Sequence, residues 1–187
     1  MTSAEHRPPL PLRTARLLLR TAEPGDLDAL HSYWGDPEVT RYLPFDTLDR
    51  EGSLGRLGRF FGSTHPQAAG EPLFLVVDHE GRLVGDVMLR LKTGDPPAVA
   101  ELGWVFHPSV AGQGLATEAA AAITGLAFGH YRCHRVEAQL DPRNERSAAL
   151  CRRLGMRQEA HLRRDWFGKG AWTDTAIFGM LREEWAS

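Results

Sequence analysis

His107-Pro108-Ser109-Val110-Ala111-Gly112-Gln113-Gly114-Leu115-Ala116-Thr117-Glu118-Ala119 is the stretch that decides the fold. An apolar, β-rich run ends just before it at Phe106, and an Ala-rich segment with Ile123, Leu126 and Ala127 on one stripe follows it. Strand, glycine-spaced loop, helix is the order these residues dictate. A helix opening near Gly114 leaves its first N–H groups without intrahelical partners and adds the positive end of its dipole. Glycines let a ligand approach the main chain closely. Together these features suit a pyrophosphate and need no cationic side chain. Spacing alone fits a plain strand-to-helix turn equally well. The run is not a Walker loop, since Gly-Lys-Ser/Thr is missing, and it is not a G-x-G-x-x-G dinucleotide fingerprint.

Working outward, residues 1–12 contain Pro8, Pro9 and Pro11 and are expected to form a flexible, partly extended tail, with one domain over 13–187. Arg16–Arg20 reads as a short strand. Pro24-Gly25-Asp26 breaks it, with Asp26 as cap of a helix through Leu27, Leu30 and Trp34, and Asp36-Pro37 ends that segment. Leu54, Leu57, Phe60 and Phe61 recur at helical spacing, and 63–72 reads as a polar loop. The strands 73–78 and 83–89 flank a hairpin turn at 79–82, and Gly94-Asp95-Pro96-Pro97 precedes the strand Val99–Phe106. After the Ala-rich helix, Val136, Ala138 and Leu140 alternate with polar residues as a strand. Asn144 to Leu154 is a helix stopped by Gly155, and 158–181 is a closing hairpin around Gly168-Lys169-Gly170. The fold class is mixed α/β.

The 187 residues suffice for one core without disulfides or metals. Hydrophobic residues at 42% and charged residues at 25% exclude wholesale disorder. A net charge of −2, with Lys92 and Lys169 the only lysines, argues against a nucleic-acid partner. Two cysteines, Cys133 and Cys151, suit a reducing compartment. No stretch has the length and apolarity of a signal peptide or a membrane span, so the expected location is the cytoplasm, with no membrane partner. The spacing His130-x-x-Cys133-His134 has zinc-ligand types but no second cluster to complete four ligands, so no metal is expected.

The loop resembles motif A of the GNAT acetyltransferase superfamily, Q/R-x-x-G-x-G/A, matched as Ala111-Gly112-Gln113-Gly114-Leu115-Ala116. Its continuation Thr117-Glu118-Ala119 is similar to the ribosomal-protein N-terminal (alanine/serine) acetyltransferase branch. So are 14–20, Asn144-Glu145-Arg146-Ser147 with Leu154-Gly155-Met156, and Lys169–Asp174. The resemblance spans roughly 13–185 in order. It departs from the pattern at Ala111, where Gln or Arg is usual. It implies a GNAT fold, a central, mostly antiparallel mixed sheet whose fourth and fifth strands splay apart, flanked by helices. It implies acetyl-CoA as cosubstrate, with the pantetheine in the splay against the strand ending Trp104-Val105-Phe106, and a main-chain N–H near Val105 as oxyanion donor. The cofactor contacts so implied are Val105, Phe106, His107, Ala111, Gly112, Gln113, Gly114, Leu115, Ala116, Thr117, Asn144, Ser147 and Arg153. The acceptor would be a primary amine, by preference a protein or peptide N-terminal α-amine. Alternatives are a small amine, such as an aminoglycoside or polyamine, and a non-catalytic acyl-CoA sensor. A homodimer is left open.

Acetyl transfer to an amine needs a base, a stabilised oxyanion and a proton for the leaving thiolate. Glu101 shares a strand face with Val99, Gly103 and Val105, where a carboxylate can take the proton of the incoming ammonium. Asn144 and Ser147 open a helix, where capping accounts for the Asn. In the resembling branch the pair faces the thioester, which makes Ser147 the proton donor. Where many relatives carry a tyrosine donor this chain has Cys151, a reserve donor or a small core residue. Tyr33, Trp34, Tyr42, Phe45, Phe60 and Phe61 either wall an acceptor site or pack the core.

Overall fold

Two apolar, β-rich runs on either side of Glu80-Gly81 build the hairpin at the centre of the sheet. Both turn residues have positive φ (50° and 76°), the backbone twist that a two-residue hairpin turn needs. The computed structural model describes residues 7–64, 72–92 and 99–185; the expected turn at 94–97 and most of the loop at 63–72 lie outside them.

The strands are β1 (Leu12–Arg13), β2 (Leu17–Arg20), β3 (Leu73–His79), β4 (Arg82–Leu91), β5 (Val99–Phe106), β6 (Arg135–Leu140), β7 (Arg157–Gly168) and β8 (Ala171–Leu181). The helices are α1 (Leu27–Trp34), α2 (Pro37–Thr40), α3 (Arg50–Gly58), α4 (Leu115–Gly129) and α5 (Glu145–Arg153). All eight strands form one sheet, ordered β1-β2-β3-β4-β5-β6-β8-β7. Every pairing is antiparallel except β5 with β6. That one parallel pairing follows from the crossover through α4. The sheet is the expected mixed, mostly antiparallel one, flanked by helices.

The alternation of each strand divides the core between the two faces. On one face Val87, Leu89, Ala100 and Leu102 pack with Leu115, Ala119 and Ile123 of α4 and with Leu150 and Cys151 of α5. On the other, Phe74, Val76 and Val105 pack with Leu30, Tyr33 and Trp34 of α1 and Leu57 of α3. Trp34 and Tyr33 are fully buried, so these two aromatics are core.

Three local readings differ from expectation. Pro8 is buried, and Leu10 and Leu12 pack against the α4-side core, so from residue 7 onward the segment belongs to the packed structure rather than to a frayed tail; residues 1–6 lie outside the described set. Asp26 does not cap α1 through its side chain: its carboxylate instead takes the Glu23 N–H (2.8 Å) and pairs with Arg20 (2.8 Å). Asp36-Pro37 starts a helix instead of only ending one, with Asp36 accepting from the Glu38 N–H. A Pro at the first helical position and an Asp before it are a strong start signal.

Candidate active site

β5 and β6 are paired only at Val99–Arg135, Ala100–Val136 and Glu101–Glu137. Beyond Glu101 they part, while β5 stays paired with β4 as far as Phe106 opposite Gly85. The splay therefore lies between the fifth and sixth strands once the two-residue β1 is counted. The bonds Lys92 N–H to Val99 O and His107 N–H to Val84 O, both 2.8 Å, fix which residues of β5 turn toward β4. Bonded pairs alternate in an antiparallel ladder, so Glu101, Gly103 and Val105 also turn their main-chain groups to β4. The N–H groups of Trp104 and Phe106 face the gap. This corrects the expectation for Val105: its N–H is spent on the Asp86 pairing, and its neighbours carry the free donors.

At the open end of the gap stands the glycine loop. His107 caps a short 3-10 turn (Pro108–Val110) by accepting from the Ser109 N–H, and its own N–H is tied to β4, so it shapes the loop without donating from its main chain. The Ala111 N–H is likewise used, on Pro108 O. Gly112 (φ 78°) and Gly114 (φ 76°) are both left-handed, which is why glycine stands at each. The first bond of α4 runs from Glu118 N–H to Gly114 O. The N–H groups of Leu115, Ala116 and Thr117 thus have no upstream acceptor in the helix. With those of Gly112 and Gly114 they form a donor cradle of the kind a pyrophosphate fills. Arg16 pins the loop, donating to Gln113 O (3.0 Å) and pairing with Glu118 (2.7 Å). Arg153 reaches from α5 to the hydroxyl of Thr117 (3.1 Å), at the same helix end. The cradle is main-chain, and Ala111 costs it nothing.

On the α5 side of the gap, Asn144 accepts from the Ser147 N–H (3.1 Å), the capping role, and Trp104 Nε1 donates to Ser147 Oγ (3.3 Å). That contact leaves the Ser147 hydroxyl proton available to the cleft, which Asn144, Ser147 and Trp104 line together. Cys151 is elsewhere. It is fully buried in the α4-side core, and burial pushes its thiol up to about 12. That removes it as reserve donor: at α5's inward face the helix needs a small apolar filler.

The opposite wall holds what the sequence reading missed. Asp86 on β4 sits opposite Val105, 3% exposed, and lines the cleft. Its Oδ2 accepts from Tyr33 Oη (2.8 Å) and Trp34 Nε1 (2.9 Å). No hydrogen bond engages Oδ1 among the described residues. Burial pushes the carboxyl up to about 6, against the pull of the Arg56 charge and the two donors. The signal was present as an acid inside the apolar strand Leu83–Leu89, where a carboxylate is rarely buried without a task. Glu101 lies on the same face but beside the closed end of the splay, with Arg90 at 3.5 Å. Four residues of strand, about 13 Å, separate it from Val105.

Tyr42 and Phe45 complete this wall, and Phe60 stacks on Phe74 (4.2 Å). Phe61 is exposed. Lys169 at the tip of the β7–β8 hairpin donates to the carbonyls of Thr40 and Arg41, which ties the hairpin to the segment bearing Tyr42. Among the described residues no group of three or more His, Cys, Asp or Glu could hold a metal, and no helix is long and apolar enough to cross a membrane.

The pattern of the acetyltransferase (GNAT) domain matches residues 16–157. The chain is 29% identical over 174 residues to an uncharacterized N-acetyltransferase, YnaD, of Bacillus subtilis, covering 93% of this chain and 98% of that one. An acetyltransferase of the GNAT family from Bacillus anthracis superposes with a TM-score of 0.81 at 27% identity, covering 92% and 98% of the two chains. The spermidine N-acetyltransferase of Vibrio cholerae, solved with CoA and spermine, superposes at 0.75 with 19% identity, covering 91% and 98%, and shows the fold alone. These likenesses do not establish the ribosomal-protein branch.

Proposed function

The chain belongs to the GNAT acetyltransferase family, an acyltransferase by membership, and from that premise we propose that it moves the acetyl group of acetyl-CoA to a primary amine, by preference a protein or peptide N-terminal α-amine. The observation that carries the reading is the three-residue pairing of β5 with β6, opening onto the unpaired N–H groups of Gly112, Gly114, Leu115, Ala116 and Thr117. Those residues fit the cosubstrate's diphosphate, and acetyl-CoA, when bound, supplies the thioester carbon.

Within this reading the chain's own residues divide the work between the two walls. Asp86 takes a proton from the incoming ammonium, freeing the lone pair that forms the N–C bond. The N–H groups of Trp104 and Phe106 point at the developing oxyanion. Ser147 donates a proton as the C–S bond breaks. Glu101 is the second candidate base, favoured by its place on the acceptor face and disfavoured by its distance along β5. The two free, buried thiols accord with a cytoplasmic location.

A second reading, acetylation of a small polycationic amine, draws on the likeness to the spermidine enzyme. The test is thiol release from acetyl-CoA with a panel of α-amino peptides, aminoglycosides and polyamines. Release with no amine would refute the transferase reading, and release with polycations alone would refute the preferred acceptor.

A further inference from the structure

Arg56 is an unusual lining for a cleft that takes a cation. It projects from α3 beside Asp86, and its guanidinium lies over three rings: Phe45 (4.0 Å to the centroid), Trp34 (5.0 Å) and Phe60 (5.4 Å). Ring faces hold a guanidinium in place but accept no fork of hydrogen bonds. Among the described residues no carboxylate stands within ion-pair distance of it and no oxygen accepts from it, and its buried Nε has no partner. Burial pulls its affinity for the proton down, as expected for a cation short of partners. Asp86 attracts it through space, but neither an ion pair nor a hydrogen bond joins the two, and the bonded oxygen of Asp86 is held by Tyr33 and Trp34.

A guanidinium fixed in place and lacking an acceptor is poised for a planar anion. The wall thus presents one carboxylate and one unpaired guanidinium to whatever enters. We infer, resting on the acetyltransferase reading of the cleft, that the acceptor carries a carboxylate near its amine and that Arg56 binds it while the amine turns to Asp86. Free α-amino acids and peptides beginning with Asp or Glu share this chemistry. A polyamine does not, and would bring added positive charge against Arg56 and Arg90.

Two matched pairs test this: glycine against glycinamide, and Glu-Ala-Ala amide against Gln-Ala-Ala amide. Each is assayed by thiol release with wild type, Arg56→Met and Arg56→Lys, after circular dichroism and acetyl-CoA calorimetry have shown each variant folded. Arg56→Met keeps the apolar stem against the rings. The carboxylated member of one pair should be preferred by the wild type, and the pair that shows it identifies the source. In Arg56→Met that pair's ratio of kcat/KM should fall ~10–100-fold, the loss of a hydrogen-bonded charge. Arg56→Lys should fall between, since it retains charge without the fork. Ratios that do not move in either variant, or a wild type that prefers spermidine, overturn the inference while leaving the transferase intact. Release with no amine at all refutes both.

Discussion

Replacing Asp86 by Asn should make the protein more stable and far less active at neutral pH. The carboxyl rises from an ordinary 3.8 to about 6 because it is buried, so the folded state binds its proton more tightly than the unfolded chain. That contribution is complete below pH ~3.8, is lost as pH rises through about 6, and is absent above it. At 1.36 kcal/mol per pH unit, ionising Asp86 in place costs up to ~3 kcal/mol. Asn is neutral at every pH, and its Oδ1 can still accept from Tyr33 and Trp34. Asp86→Asn should therefore gain up to ~3 kcal/mol over wild type at pH 7.5, with the gap closing toward pH 4. The groups that face Asp86 are Tyr33 and Trp34 from α1 and Arg56 from α3, and none of them titrates in this window in its ordinary form. Turnover should drop about 10²–10⁴-fold, the usual share of a general base, and the wild-type acid limb of kcat/KM should lie near pH 6. Denaturant unfolding at pH 4.5 and 7.5, with kcat/KM against pH using an accepted amine, measures both. Retained activity with an unchanged limb would remove Asp86 as base. A stability gap that does not widen with pH would show that Asp86 is not held against its charge.

Glu101→Gln should cost less than about tenfold in turnover if Asp86 is the base; a loss equal to that of Asp86→Asn would return the role to Glu101. Gly112→Val has open space for its side chain but must adopt φ 78°, so it should lose ~1–2 kcal/mol of stability and weaken acetyl-CoA binding, with Gly114→Asn as a folded control tolerant of that region. Calorimetric affinity unchanged in a folded Gly112→Val protein would dismiss the phosphate cradle. Cys151→Ser should lower stability by ~1–3 kcal/mol by burying a hydroxyl and leave the turnover of the folded fraction alone, whereas Ser147→Ala should lower turnover with little loss of stability. The reverse pattern would restore Cys151 as donor.

Local chemistry made most of the fold legible. The edges of β5, β6 and α5 follow directly from Val99–Phe106, Arg135–Leu140 and the Asn144 cap with its Gly155 stop, because alternation, capping and left-handed glycines act within a few residues. The proposed cofactor cradle was legible for the same reason: its N–H groups lie within one short run of residues that also shapes the loop. The acceptor side is assembled otherwise. Asp86 matters because Tyr33 and Trp34, more than fifty positions away, close over it, and Arg56 matters because Phe45 and Phe60 come from both sides of its own helix without bringing a carboxylate. Neither fact has a period or a spacing. Glu101 stood out in the sequence for the face it shares with Val105, yet a shared face fixes direction and not distance along the strand. Once pairing places Asp86 directly across from Val105, position along β5 becomes the stronger criterion. The same reasoning moves the oxyanion donor from Val105 to Trp104 and Phe106: a strand with one partner on each edge can offer the gap only alternate N–H groups, and His107 bonded to Val84 decides which ones.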